Sequence, residues 1–323
     1  MNLYYKTTMF MRLRSIAQLF FGIATFIPGV YKLRSKKNGS GGSYSARYCY
    51  SVYLRHMVMA KKSNLSTQPD TVAELGPGDS LGIGLMALLL GANKYYAFDI
   101  VRFASDEKNL VMLDDLILLL RNKKDIPNEI EFPRINPKLN DYKFPTEIFS
   151  DSFLSKCLSL PRIERIRDSI KNNRGMIEYK APWLNEININ LSVIDMIISQ
   201  AVLEHIDDLE LAYRVMNSWL KSDGFMTHSI DFKSHGKSST WDGHWKIPNW
   251  YWFLLRGARP YLINRQPLAA HLKLMKKHKF HIVLIERIIS TPTFSNSKLN
   301  KEFLEISKLD RKTSGVFIQV RKV

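Results

Sequence analysis

Residues 71–100 constrain the fold more than any other part of the chain. They read as a short apolar strand (71–75), a turn carrying Gly76 and Gly78, an apolar helix (81–90) and a second strand (94–100). Gly91 stands where helices commonly end on a residue of positive φ. Two strands joined through a helix cannot close as a hairpin. They pair in parallel, with a right-handed crossover. One such unit commits the chain to an open, mostly parallel sheet with helices on its faces.

The same alternation returns downstream. Strands are predicted at 176–180, 193–199 and 225–232. A helix at 161–172 aligns Ile163, Ile166 and Ile170, and one at 207–221 aligns Leu209, Ala212, Met216 and Trp219. Pro267 opens a further helix to 279. Two final strands, 280–287 and 315–323, are close enough in sequence to pair antiparallel. Ahead of the first strand, Tyr50, Tyr53, Leu54 and Met57 fall at three- and four-residue spacing in a helix over 44–61. The expected fold is therefore α/β: a Rossmann-like, doubly wound, mostly parallel seven-stranded sheet with an antiparallel last strand and helical insertions. Residues 1–43 form an apolar and basic helix with a flexible joint, Asn-Gly-Ser-Gly-Gly-Ser, at 38–43. Residues 44–323 form the main domain. It is interrupted at about 101–174 by an insertion with a helix at 111–120 and breaks at Pro127, Pro133, Pro137 and Pro145. A second interruption, at about 233–266, is rich in aromatics.

Composition narrows the partners. With 45% hydrophobic residues in 323, the chain can bury a real core, which excludes wholesale disorder. Two cysteines, Cys49 and Cys157, are too few for a disulfide framework or a cysteine-rich zinc site and fit a reducing, cytoplasmic setting. A net charge of +17 concentrates anionic partners. The charge is spread along the chain, with neither zinc-finger spacing nor an RNA-recognition signature, so nucleic acid is not the expected partner. Residues 16–31 are mostly apolar between basic flanks (Arg12 and Arg14 before; Lys32, Arg34, Lys36 and Lys37 after). They fall short of the roughly 20 apolar residues of a spanning helix. Two readings stay open: a helix packed on the domain, or a peripheral contact of residues 10–37 with acidic head groups on the inner membrane face.

The residues of the 71–100 unit also suggest chemistry. Glu74 ends the first strand two residues ahead of Gly76, and Asp99 ends the second strand. Carboxylate, glycine turn and second carboxylate make a site for a nucleoside with a charged tail. The glycines let backbone approach such a ligand, and the next helix offers N-terminal amides to an anionic group. The spacing Gly76-x-Gly78-x-x-x-Gly82 is not the G-x-G-x-x-G fingerprint of dinucleotide-binding turns. A further signature lies at 194–205, Ile-Asp-Met-Ile-Ile-Ser-Gln-Ala-Val-Leu-Glu-His.

Together these segments resemble the class I S-adenosylmethionine-dependent methyltransferases. The chain is most similar to the methyltransferase-domain proteins of bacterial surface-polysaccharide clusters. Their tyrosine- and arginine-bearing first helix is similar to Ser45-Ala46-Arg47-Tyr48-Cys49-Tyr50. The resemblance covers about 44–323 and is firmest at 72–100 and 193–232. It implies S-adenosylmethionine as cofactor, contacted by Glu74, Gly76, Gly78, Asp79, Asp99 and Ile100, with Gln200 beside the methionine moiety. Asp99 would accept the ribose hydroxyls. Two departures stand out: Ser80 replaces a third glycine, and Ala181-Pro182-Trp183 stands where an acid often holds the adenine amino group.

Methyl transfer is an in-line displacement at a carbon activated by sulfonium, so positioning supplies most of the catalysis. A hydroxyl acceptor still needs a base. His205, just past the fourth strand, is the first candidate. Asp231 and His235, ending the fifth strand, are the runners-up, singly or as a pair; His228 is expected to pack inside its strand. Asp231, His235 and Asp242 are poorly spaced for a metal, and none is predicted. Four of the six tryptophans fall in 241–253, as an acceptor lid that stacks on sugar faces or as a packed helix. Arg256, Arg259 and Arg265 clamp an acceptor anion or are surface charges. The expected reaction is O-methylation of a sugar or glycan acceptor, anionic or lipid-linked. The alternatives are an RNA or protein methyltransferase and a non-catalytic scaffold of the same fold.

Overall fold

The computed structural model describes residues 16–28, 30, 43–183, 192–259 and 262–323. Its strands are β1 (Thr71–Leu75), β2 (Lys94–Phe98), β3 (Ile177–Lys180), β4 (Ile194–Gln200), β5 (Leu220–Asp231), β6 (Phe280–Ile289) and β7 (Thr313–Lys322). They form one sheet in the order β3-β2-β1-β4-β5-β7-β6. The first five pair in parallel, while β7 runs antiparallel between β5 and β6. This is the expected doubly wound sheet. The strand order reverses between β1 and β4: from β1 the sheet grows one way through β2 and β3, and the other way through β4 and β5. Such a reversal leaves a crevice beyond the carboxyl ends of the strands, where open α/β sheets bind ligands.

The helices are α1 (Ala46–Lys62), α2 (Gly82–Leu89), α3 (Asp106–Arg121), α4 (Asp151–Cys157), α5 (Leu160–Asn172), α6 (Leu209–Trp219), α7 (Asn249–Arg256) and α8 (Leu268–Lys277). Alternation along the strands divides the core in two. Val72, Tyr95, Ile177, Met196 and Phe225 pack with α1, α2, α3 and α5; Ala73, Leu75, Ile197, Met226 and Ile318 pack with α6 and α8. Asp195, the one polar residue early in β4, ties strand starts together. It accepts from the Thr71 amide at 2.7 Å and pairs with Lys221 at 2.7 Å.

Several boundaries shift for physical reasons. The helix expected at 111–120 begins at Asp106, because Ser105 caps it and Asp106 and Glu107 suit its positive end. Helix α4, capped by Ser150, lies in the stretch expected to be irregular. Strand β5 starts directly after α6, five residues before the expected 225.

The aromatic segment is mainly a packed element. Trp245 is fully buried and donates to the Arg265 carbonyl at 2.9 Å; Trp252 lies under the Arg265 guanidinium, while Trp250 and Phe253 stay exposed. The three arginines do not converge as a clamp. Arg256 pairs with Asp207, Arg259 donates to the Arg256 carbonyl, and Arg265 donates to the Ile247 carbonyl and Asn249. Residues 16–24 are helical and pack on α7. Phe26 meets Phe253 at 5.3 Å, and Thr25 accepts from the Ala258 amide at 3.0 Å. Ile16, Phe20, Ile23 and Ile27 remain exposed. The basic flanks of this segment and the joint at 38–42 lie outside the described residues. Among the described residues, no helix is long and apolar enough to cross a membrane.

Helix α2 is buried on every side, and its glycines make that possible. A Cβ on Gly84 would lie 1.9 Å from the Tyr95 ring, and one on Gly82 would lie 2.4 Å from Cys49 Sγ. Gly84→Ala is expected to destabilise the fold by about 2–4 kcal/mol through overpacking. Urea denaturation checks this; a midpoint unchanged at constant m-value would refute the packing account.

Candidate functional site

The turn between β1 and α2 faces the crevice. Gly76 and Gly78 stand at φ of +64° and +71°, where only glycine sits without strain. A Cβ on Gly76 would press on Val202 at 2.7 Å, so the loop leaving β4 rests directly on the turn. The Gly76 amide donates to the Phe98 carbonyl at 2.7 Å. From the other side Ser43 clamps the turn, its hydroxyl donating to the Pro77 carbonyl at 2.6 Å and accepting from the Ser80 amide at 3.0 Å. Ser80, in place of a third glycine, adds a side-chain bond to this clamp, its hydroxyl donating to the Ser43 carbonyl.

Asp99 follows β2 and closes the site. One carboxylate oxygen accepts from the Gly78 amide at 3.2 Å, the other from the Ile100 amide at 2.7 Å. The residue is 6% exposed, and burial pushes its pKa up to about 6 against the pull of those amides. Asp79 is half-buried nearby, and its charge adds to the upward push on Asp99.

Glu74 is placed differently from its expected role. Its side chain turns inward beneath the turn, 2% exposed, and accepts from the Tyr95 hydroxyl at 2.5 Å. Burial pushes its pKa up to about 8. It supports the glycine turn from below. The helix amides also depart from expectation: Leu81 donates to Asn109 at 2.9 Å and Gly82 to the Ser80 hydroxyl at 3.2 Å, so internal acceptors already occupy them.

Gln200 ends β4 beside the turn. Its side-chain oxygen lies 3.3 Å from His56 Nε2, whose Nδ1 lies 2.8 Å from Thr227 Oγ1. Burial lowers the His56 pKa to about 4, leaving a neutral ring to orient Gln200. His228 packs within β5 as expected, hydrogen-bonded to Ser199 at 2.8 Å and lowered by burial to about 3.

Past β4 and β5 the chain gathers a second constellation. His205 and His235 cross edge to face with ring centres 5.0 Å apart. His235 Nε2 lies 3.7 Å from Asp231 and 4.0 Å from Glu204 Oε1. Asp231 also pairs with Lys233 at 3.3 Å. Glu204 is 2% exposed; Oε1 accepts from the Asp231 amide at 3.3 Å, while Oε2 has no hydrogen-bond partner among the described residues. Burial raises its pKa well above the usual carboxylate range. The three expected bases are therefore neighbours. Glu204, adjacent to His205 in sequence, was not singled out, because adjacency in a 3₁₀ turn does not reveal where either side chain points.

No family model matches the chain, and no curated protein matches it in sequence. Solved structures resemble it. One is an S-adenosylmethionine-dependent methyltransferase from Mesorhizobium loti, 13% identical with a TM-score of 0.41, over 83% of this chain and 98% of that one. Another is the YcgJ protein of Bacillus subtilis, 9% identical with a TM-score of 0.40, over 84% and 98%. A third is geranyl diphosphate C-methyltransferase from Streptomyces coelicolor, 12% identical with a TM-score of 0.39, over 79% and 71%. At such identities and scores the likeness decides nothing about the site.

Glu74 makes the stability pH-dependent. Folded, it keeps its proton to about pH 8; its ordinary pKa is 4.5. The folded state therefore binds the extra proton between those values, and stability falls as pH rises through that window. Glu74→Gln is expected to flatten that slope and to exceed the parent at pH 8.5 by roughly 2–4 kcal/mol. Denaturation at pH 5.5 and 8.5 reads both; equal slopes for the two proteins would remove the assignment.

Proposed function

We propose that the chain is an S-adenosylmethionine-dependent methyltransferase that O-methylates a sugar or glycan acceptor. The observation that carries this reading is the left-handed glycine turn at the sheet's switch point, closed by the desolvated Asp99. Each carboxylate oxygen has two lone pairs, so Asp99 can take a ribose diol while keeping its amide bonds. Gln200, oriented by His56, would face the methionine end. The methyl group would then point to the carboxyl edge of β4 and β5, toward His205, His235 and Asp231. His205 is the leading proton acceptor for a hydroxyl, with the other two beside it.

The exposed Trp250 and Phe253 on α7, the helix whose Arg256 pairs with Asp207 two residues past His205, favour an acceptor with apolar faces, such as a sugar ring. Exposed apolar residues on the adjoining 16–28 segment, together with the strongly basic chain, favour an anionic, lipid-linked one.

Methyl-labelled S-adenosylmethionine, supplied with the protein to glycan, lipid and RNA fractions, tests the acceptor. Label is expected in glycan or lipid-linked glycan; label in RNA would replace this acceptor. Calorimetry tests the cofactor. Asp99→Ala should weaken binding by about 1.5–3 kcal/mol. Parent affinity should fall as pH drops through about 6, where Asp99 takes up its proton. Equal affinity of parent and variant would overturn the placement. His205→Ala should spare cofactor affinity and slow transfer about 100-fold or more; unaltered turnover would remove it from the reaction.

A further inference from the structure

We infer that Glu204, His205 and His235 form a binding site for one divalent transition-metal ion at the carboxyl edge of β4 and β5. Each residue offers one ligand atom, and these atoms lie within 4.8 Å of one another. Ligand atoms at about 2.1 Å from a tetrahedral ion stand roughly 3.4 Å apart. The 4.0 Å between His235 Nε2 and Glu204 Oε1 is already near that value. A small rotation of His235, on the loop after β5, closes the remainder.

A second observation points to a ligand. Glu204 is 2% exposed, and its Oε2 has no hydrogen-bond partner among the described residues. A buried carboxylate oxygen left without a partner is costly. A cation held by this carboxylate would offset that cost. Two nitrogens and one carboxylate suit zinc, cobalt or ferrous iron better than calcium or magnesium, which favour all-oxygen sets. Three protein ligands also leave a coordination position open, as catalytic sites do.

The role of the ion rests on the transferase reading above: in the open position it would hold and polarise an acceptor oxygen. His205 would then be a ligand and not the proton acceptor, which leaves Asp231 beside it for that role. Binding of the ion does not depend on that reading.

The test uses the full chain, stripped with chelator and titrated with Co²⁺ and Zn²⁺ by calorimetry and visible absorption. One equivalent is expected, with a d–d spectrum of a four- or five-coordinate ion. Glu204→Gln should weaken binding at least about 100-fold. His235→Asn, which asparagine tolerates at the φ of 47° found there, should do the same without disturbing the fold. Both variants should keep parent affinity for S-adenosylmethionine, measured in parallel. No binding by the parent below millimolar ion, or equal binding by parent and both variants, overturns the site. Ion binding without any cofactor binding would sink the transferase reading and leave the metal site standing.

Discussion

The structure depends on the lock that holds the first glycine turn. Gly76 and Gly78 adopt φ values open to glycine, and their amides are tied to the neighbouring strand end by the Phe98 carbonyl and the Asp99 carboxylate. Ser43 holds the turn from above, and the Glu74–Tyr95 bond supports it from below. The lack of side chains on Gly82 and Gly84 lets α2 descend onto Cys49 and Tyr95. Without that close approach the Tyr95 hydroxyl would lack its route past the helix to Glu74. Packing in the first core and the shape of the crevice are thus one constraint.

The sheet topology was legible because its signals are local and repeated. Short apolar strands, glycine or proline at element ends, and helices with one apolar face each point to the same parallel order. The antiparallel end was legible from two final strands that follow one another along the chain; the link between them, residues 290–312, holds only short 3₁₀ turns among its elements. What stayed hidden depended on partners distant in sequence. Helix α4 is short, and its cap Ser150 sits in a proline-broken stretch. The aromatic run around Trp245 fits a lid and a packed wall equally well as a pattern. Only the contacts with Arg265, Arg311 and Phe303 decide that most of it is wall.

The candidate site divides in the same way. Asp99 and the glycines were legible because strand ends fix where they stand. Glu74 was visible as a conspicuous acid, yet its inward direction follows from alternation along β1, which puts it on the face of Val72 beneath α2. Glu204 was passed over beside the more noticeable His205. Its importance comes from burial and from His235, thirty-one positions away, which no spacing rule links to it.

Electrostatics connect the two constellations. The chain carries +17, yet Asp99 and Glu204 are desolvated acids facing the edge where the strands end. Burial raises both carboxyls, and no cationic side chain figures among the main influences on Asp99; Lys233 acts on Glu204 only weakly against its burial. Buried carboxyls of this kind favour ligands that bring positive charge or strong donors. On the proposed reading the ribose hydroxyls of the cofactor would meet that need at Asp99, and the inferred metal ion would meet it at Glu204. The basic exterior then serves a different purpose. On the proposed reading it would draw an anionic acceptor toward an edge whose own groups are poised for cations, and the two reactants would be selected by opposite signs of charge.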